Sequence, residues 1–291
     1  MTGRRFFASA TTEPTKEMDG AMGVTPHEIV WDKERIAAFW NHLGTSTALE
    51  NSYFGKQRGR AVLGFVRKHI AVEGGVVDLG CGPGHFLEHL LAAGIACSGA
   101  DLSADSVAAL NRRLGGNPLF QEARVCPSPG EVPFPPASVD VLFCLETVEH
   151  LLDADLPTYL GAMIEALAPG GKLIVTVPFR EDLERGKVVC GACGCRFHRT
   201  QHVRSFTEAS LRELFARRGL ATRLCRAVIL WPDVRLYLGY LRGAARDYRL
   251  GCPECGASCR CERTLWRGLW DKLRKRQLRH LVYIGEKPQG Q

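Results

Sequence analysis

No stretch of this 291-residue chain stays apolar for the ~20 residues a bilayer-spanning helix needs, so no membrane span is expected. Residues 1–10 hold two arginines and two phenylalanines but no apolar run of signal-peptide length. The expected location is therefore the cytoplasm. No internal repeat occurs, and the composition matches neither a disordered nor a collagen-like chain. Charge is also scarce in excess: 38 basic against 31 acidic residues leave +7. That permits an anionic partner without requiring one. Apolar residues make up 45% of the chain, enough for one sizeable core with additions, or two small domains.

The pattern along the chain predicts an α/β fold. Residues 1–26 read as a polar, loose arm. Helical spacing over 27–70 predicts a helical cap, with Ile36, Phe39, Trp40 and Leu43 on one face. Strands are then expected at 76–79, 95–100, 123–125, 139–144, 172–177, 221–230 and 280–287. Helices are expected at 85–93, 103–114, 156–167, 208–218, 235–248 and 264–279, and a turn at 169–171. Alternating strands and helices mean a mostly parallel, doubly wound sheet of Rossmann-like type, here with seven strands. The organisation expected is an arm (1–26), a cap (27–70) and a core (71–230). A helical insertion (231–279) and a final strand with tail (280–291) complete it.

Asp78-Leu-Gly80-Cys-Gly82-Pro-Gly84 joins the first core strand to the next helix. Glycines let backbone approach a ligand where a Cβ would obstruct it, and the helix N-terminus aims free N–H groups at the same place. Asp78 at the strand end would repel a pyrophosphate but suits a cationic amino-acid end. Asp101, ending the second strand, suits a ribose diol. The Gly-x-Gly-x-Gly spacing also differs from the Gly-x-Gly-x-x-Gly of nicotinamide enzymes. These features fit S-adenosylmethionine, with its ammonium and sulfonium.

Five of the twelve cysteines are scattered among apolar residues, and seven fall in two tight groups. Cys190-Gly-Ala-Cys193-Gly and Cys252-Pro-Glu-Cys255-Gly are two knuckles that can close a tetrahedral four-cysteine site of the structural zinc kind. The first lies in 188–198 and the second in the helical insertion. Both excursions leave the sheet at its carboxyl edge, so they can meet in a small zinc-knuckle lobe. Cys195, His198, His202, Cys259 and Cys261 remain as spare ligands for a second ion.

The segments VVDLGCGPGHFLEHL, GADLS, PFPPASVDVLFCLETVEHL and APGGKLIVTVP resemble the successive motifs of class I S-adenosylmethionine-dependent methyltransferases. The nearest branch is ubiquinone-biosynthesis-like, and the likeness covers about residues 55–220. It implies that Asp78, Gly80, Gly82 and Gly84 surround the methionine part and Asp101 the ribose. It also implies adenine near 123–126, and Cys144 and Leu145 beside the methionine part. CGACGCRFHRTQHVRSFTEASLRELFARRG, CPECG and YFGKQRG resemble a subset from surface-polysaccharide and natural-product pathways, which suggests a sugar or small-metabolite hydroxyl as acceptor.

A hydroxyl acceptor must lose its proton. Glu146, Glu149 and His150 follow the fourth strand at the edge where ligands bind in such sheets. His150 is the candidate general base, and Glu146, four residues away, could share a helical face with it. Three other readings stand beside this one. The basic segment 264–279 could serve an RNA (tRNA) methyltransferase, although an amphipathic helix packed on the lobe explains it as well. A non-catalytic adaptor would keep only the fold. A nicotinamide oxidoreductase is disfavoured by Asp78 and the glycine spacing. Oligomeric state is not readable.

Overall fold

The computed structural model describes residues 24–44, 53–126, 128, 131–235, 249–260 and 279–290. The chain opens with β1 (His27–Glu28), α1 (Lys33–Gly44) and α2 (Phe54–Val66). Alternation follows: β2 (Val76–Leu79), α3 (His85–Ala92), β3 (Cys97–Asp101), α4 (Ala104–Leu114), β4 (Phe120–Val125), β5 (Val139–Leu145), α5 (Leu156–Ala166) and β6 (Leu167–Pro178). Then come β7 (Lys187–Val189), β8 (Cys195–His198), α6 (Glu208–Ala216), β9 (Ala221–Ile229), β10 (Arg249–Gly251), β11 (Ser258–Arg260) and β12 (Arg279–Glu286).

Seven of these strands form one sheet in the order β4-β3-β2-β5-β6-β12-β9. From β4 to β6 all pairings are parallel, and β12 is antiparallel to both β6 and β9. The central strands are mostly apolar because helices cover both faces. On β5, Leu142 and Cys144 face a core with Met163 of α5 and Phe215 of α6. Val141, Phe143 and Leu145 face the opposite core, built with Val62 of α2, Leu87 of α3 and Leu110 of α4. Each fully buried Leu, Val or Phe contributes about 1.5–3 kcal/mol, so the two cores hold the sheet rigid beneath its loops. None of the described helices is long and apolar enough to cross a membrane.

The expected turn at 169–171 lies inside β6. The partners of β5 jump from Leu167 to Lys172 while β5 itself advances only from Val139 to Val141. The extra residues bulge out, and Gly170, at φ +76°, takes the left-handed turn this requires. The cap is not wholly helical, because His27 and Glu28 pair with Cys195 and Arg196. The second knuckle sits on a two-stranded ribbon, β10 with β11. The helices expected at 235–248 and 264–279 fall, apart from their outermost residues, outside the described residues.

A second, smaller centre stands beside the sheet. The β1-β8-β7 sheet and the β10–β11 ribbon enclose Phe39, Phe197 and Leu250 together with four buried cysteines. Helix α1 supplies Phe39, whose ring meets Trp31 and Phe197 edge-on.

Candidate active site and cysteine centre

The glycine loop leaves β2 at the carboxyl edge. Gly80, Gly82 and Gly84 have φ of +80°, +48° and +82°, a region open to glycine and costly for other residues. A Cβ on Gly80 would stand 2.7 Å from Thr147 Oγ1, whereas one on Gly82 would meet nothing within 4 Å. The loop thus presses against the end of β5 on one side and exposes bare backbone on the other. Helix α3 starts after Gly84 without a side-chain cap, so its first N–H groups remain available. Asp101 Oδ2 accepts the Gly82 N–H at 2.8 Å and Oδ1 accepts that of Ser103 at 2.9 Å. Ser103, not Asp101, caps α4, and the Asp101 carboxylate, held by the N–H groups of Ser103, Gly82 and Leu102, keeps acceptor capacity for a diol.

Asp78 is 3% exposed. Burial, reinforced by the charge of Asp101, pushes its carboxyl up to about 8. A buried acid with no cation paired to it among the described residues, beside a side-chain-free glycine loop and a second carboxylate, fits an ammonium-bearing nucleoside. When bound, S-adenosylmethionine supplies a methyl group already activated by its sulfonium. Cys144 and Leu145 end β5 with their side chains in the cores on opposite faces of the sheet. The Cys144 thiol is fully buried, 3.9 Å from the Tyr159 hydroxyl, and the Leu145 carbonyl accepts from Thr147 Oγ1 at 3.1 Å.

At the end of β5 the arrangement differs from the expected helix. Glu146 sits at φ +49°, a left-handed conformation that costs a non-glycine residue about 1–3 kcal/mol. Only a 3₁₀ turn, Val148–His150, follows it. The Glu146 carboxylate therefore does not pair with His150, which Glu146 meets through its backbone alone. Its carboxylate faces His280 at the start of β12, with both oxygens 3.2 Å from Nδ1. Burial would raise the Glu146 carboxyl, but the charge and hydrogen bond of His280 hold it below the usual range.

His150 lies under α1. Its ring meets Trp40 and His202 edge-on, at 4.9 and 4.8 Å between centroids. Gln201 ties this group together: its carbonyl is 3.4 Å from His150 Nδ1, its side-chain N–H donates to the His150 carbonyl at 2.9 Å, and its side-chain oxygen accepts from Trp40 Nε1 at 3.0 Å. Burial lowers the His150 pKa well below the ordinary imidazole value. His202 Nδ1 bonds Glu181, whose other oxygen is 3.7 Å from His198 Nε2. Glu149 is fully buried, and neither carboxylate oxygen has a hydrogen-bond partner among the described residues. Sequence reasoning did not assign roles to Trp40, Glu181, Gln201 or His280, because only the fold brings them to this edge.

The cysteine prediction converges in space. The sulfurs of Cys190, Cys193, Cys252 and Cys255 all lie within 4.8 Å of one another, with Cys190–Cys255 and Cys193–Cys252 at 3.7 Å. The knuckles are alike: the Gly194 N–H bonds the Cys190 carbonyl and the Gly256 N–H that of Cys252, each at 2.9 Å. Gly194 is required, since its φ is +83° and a Cβ would come 2.5 Å from the Thr25 carbonyl. Burial raises the Cys190 thiol, yet the N–H groups of Cys193 and Ala192 outweigh it and bring the pKa to about 6. Burial pushes Cys193 to about 12 and Cys252 to about 11. Four such thiols ionise together only around a cation, so the donor set fits zinc. Of the spare ligands, Cys195 and Cys259 are buried in this lobe's core, His198 and His202 belong to the Glu181 group, and Cys261 lies outside the described residues.

Comparison with known proteins accords with this geometry. The family described as a methyltransferase domain matches residues 54–224. The ubiquinone biosynthesis O-methyltransferase of Idiomarina loihiensis is 34% identical over 115 residues, 38% of this chain and 46% of that protein. The match thus spans about half of that relative. A chain in the complex between the Haloferax volcanii Trm112 methyltransferase activator and a methyltransferase superposes with TM-score 0.56 at 19% identity, covering 84% of this chain and 95% of that one. For geranyl diphosphate C-methyltransferase of Streptomyces coelicolor the TM-score is 0.50 at 16% identity, covering 78% and 75%. At such identities these two structures bear on the fold alone. The family match spans more than half of the chain and includes the glycine loop, Asp78 and Asp101, so this chain belongs to the methyltransferase domain family and is a class I S-adenosylmethionine-dependent methyltransferase.

Proposed function

We propose that the protein methylates a hydroxyl oxygen of a small molecule or sugar in a cytoplasmic biosynthetic pathway. One observation carries this reading: His150, His202 and His280 gather at the carboxyl edge beside the glycine loop, two of them paired with carboxylates. An activated methyl donor needs little from the protein beyond alignment, whereas a neutral hydroxyl must also lose a proton to a positioned base. The name of the Idiomarina loihiensis relative supports the same acceptor chemistry.

In this reading Asp78 faces the donor's ammonium and Asp101 its ribose, with the bare backbone of Gly80, Gly82 and Gly84 closing round the methionine part. Cys144 and Leu145 contribute backbone. An imidazole of the edge group receives the acceptor's proton, His150 being the one the sequence suggests. Cys190, Cys193, Cys252 and Cys255 hold a structural zinc ion, which locks the small lobe and, through Phe39 and Trp40 of α1, the wall over His150. A closed site of four cysteines leaves no open position for chemistry on the metal.

The test is incubation with methyl-labelled donor and a panel of phenols, nucleotide sugars and bulk tRNA. Label on a phenol or sugar is the expected result. Label on tRNA alone would replace this reading with the RNA one, in which the basic segment 264–279 makes the contact. Tight adenosylhomocysteine binding with no label anywhere would favour a cofactor-fold adaptor.

A further inference from the structure

We infer that His280 is the general base of methyl transfer and that Glu146 is its positioning residue. This rests on the hydroxyl-methylation reading and names the group that reading leaves open. His280 is bracketed by the donor cradle from two sides. Thr147, directly after Glu146, is the residue Gly80 presses against. On the other side the Phe54 ring lies 4.9 Å from the His280 ring, and the next residue, Gly55, is so close to α3 that a Cβ would stand 3.1 Å from the Phe86 amide. His280 also stands in register with Pro178 of β6 and Val228 of β9, at the edge where those strands end.

The chemistry of the pair fits the task. Glu146 accepts from Nδ1–H, which fixes the tautomer and leaves the Nε2 lone pair bare. Among the described residues nothing bonds Nε2. The strained backbone of Glu146, anchored by its N–H to the Thr176 carbonyl at 2.9 Å, turns its side chain back over the sheet toward β12. Strain maintained at one residue of a sheet edge marks a position where placement of the side chain matters. His150, by contrast, has backbone carbonyls and two aromatic edges about it, and the buried Glu149 carboxylate within 4.8 Å makes no hydrogen bond to its ring.

In the step, the acceptor's O–H proton passes to His280 Nε2. An oxygen lone pair forms the new bond to the methyl carbon as the carbon–sulfur bond breaks, its electron pair remaining on sulfur. Neutral imidazole becomes imidazolium while the sulfonium charge disappears, so charge balances. The charged groups around the pair are Arg58 on α2, Glu149 on the 3₁₀ turn and His202 on the loop before α6.

Two readouts test this. With ¹⁵N-labelled histidine and adenosylhomocysteine bound, nuclear magnetic resonance should show His280 as the Nδ1–H tautomer, and Glu146→Gln should convert it to a mixture. An Nε2–H tautomer in the wild type overturns the proposal. With a labelled phenol or nucleotide sugar, His280→Asn should slow transfer at least ~100-fold, with adenosylhomocysteine affinity within twofold. Its rate should climb with pH where the wild type levels off. Glu146→Gln should lower kcat about tenfold and leave KM for the donor unchanged. If His280→Asn and the milder His280→Gln both keep transfer while His150→Asn abolishes it, the base is His150. If no panel compound is methylated even by the wild type, the acceptor reading fails, and the tautomer measurement still judges the pair.

Discussion

The donor cradle and the cysteine centre solve one geometric problem in opposite ways. Both use glycines at positive φ to turn backbone tightly round a small group: Gly80, Gly82 and Gly84 in one, Gly194 and Gly256 in the other. The cradle takes its parts from one βαβ unit, Asp78 to Asp101, and that unit is held by cores on both faces of the sheet. The cysteine centre joins knuckles from distant parts of the chain around a core of few residues. Packing thus carries the first, and the proposed zinc ion would carry the second, because a small centre buries too little surface to hold itself together.

Removing one ligand probes that difference hardest. Cys252→Ser should abolish the roughly one zinc ion expected per chain and cost several kcal/mol within the lobe, since most of a structural site's folding energy comes from the metal. Elemental analysis and hydrogen exchange would check it. Protection should vanish over β7, β8, β10 and β11 and survive over β2, β5 and β6. Equal loss of protection over the central sheet would mean that the two regions fold as one and that packing alone does not carry the cradle.

The same contrast decides what could be read from sequence. The alternation of strands and helices, the glycine loop and the placing of both aspartates at strand ends were legible because each depends on local pattern: apolar runs, glycine spacing, and an acid at a strand end. The four cysteines were legible because a knuckle is recognisable alone and sulfur chemistry supplies the pairing. The Glu146–His280 pair was not, since 134 residues separate its members and neither carries a local signature. Spacing instead joined Glu146 to His150 on a helix. The left-handed backbone at Glu146 breaks that helix before it starts, and no residue type there announces it. The bulge in β6 escaped for a related reason: Pro169-Gly-Gly171 spells a turn, and only pairing with β5 shows the strand continuing through it.

A pH series tests the cradle more gently. Asp78 has a native pKa of about 8 against 3.8 for the ordinary carboxyl. The native state therefore holds the proton more tightly than the unfolded chain, so this acid's contribution is complete below about pH 4 and is lost as pH rises through 8. The ligand-free protein should lose stability between those limits, and Asp78→Asn should flatten the decline. Binding a cationic amino-acid end should release the Asp78 proton near pH 7. Calorimetry of adenosylhomocysteine in two buffers of different ionisation enthalpy would count close to one proton released. A count of zero at pH 7 would mean that Asp78 is already ionised and that the cradle has some other counter-charge.

The smallest effect is expected where the two regions touch. Helix α1 places Phe39 in the cysteine lobe and Trp40 against His150, and Trp40 Nε1 donates to the Gln201 side chain at 3.0 Å. Trp40→Phe keeps an aromatic edge on His150 and removes that one hydrogen bond, a net loss of about 1 kcal/mol. The melting temperature should fall by only a few degrees, with zinc content and adenosylhomocysteine affinity unchanged. Gln201 also donates to the His150 carbonyl, so loosening it frees the wall of the acceptor side without disturbing either the cradle or the cysteines. KM for the acceptor should therefore rise while kcat holds. A fall in zinc content instead would place Trp40 among the supports of the lobe, and the boundary between the two regions would run through the acceptor site rather than beside it.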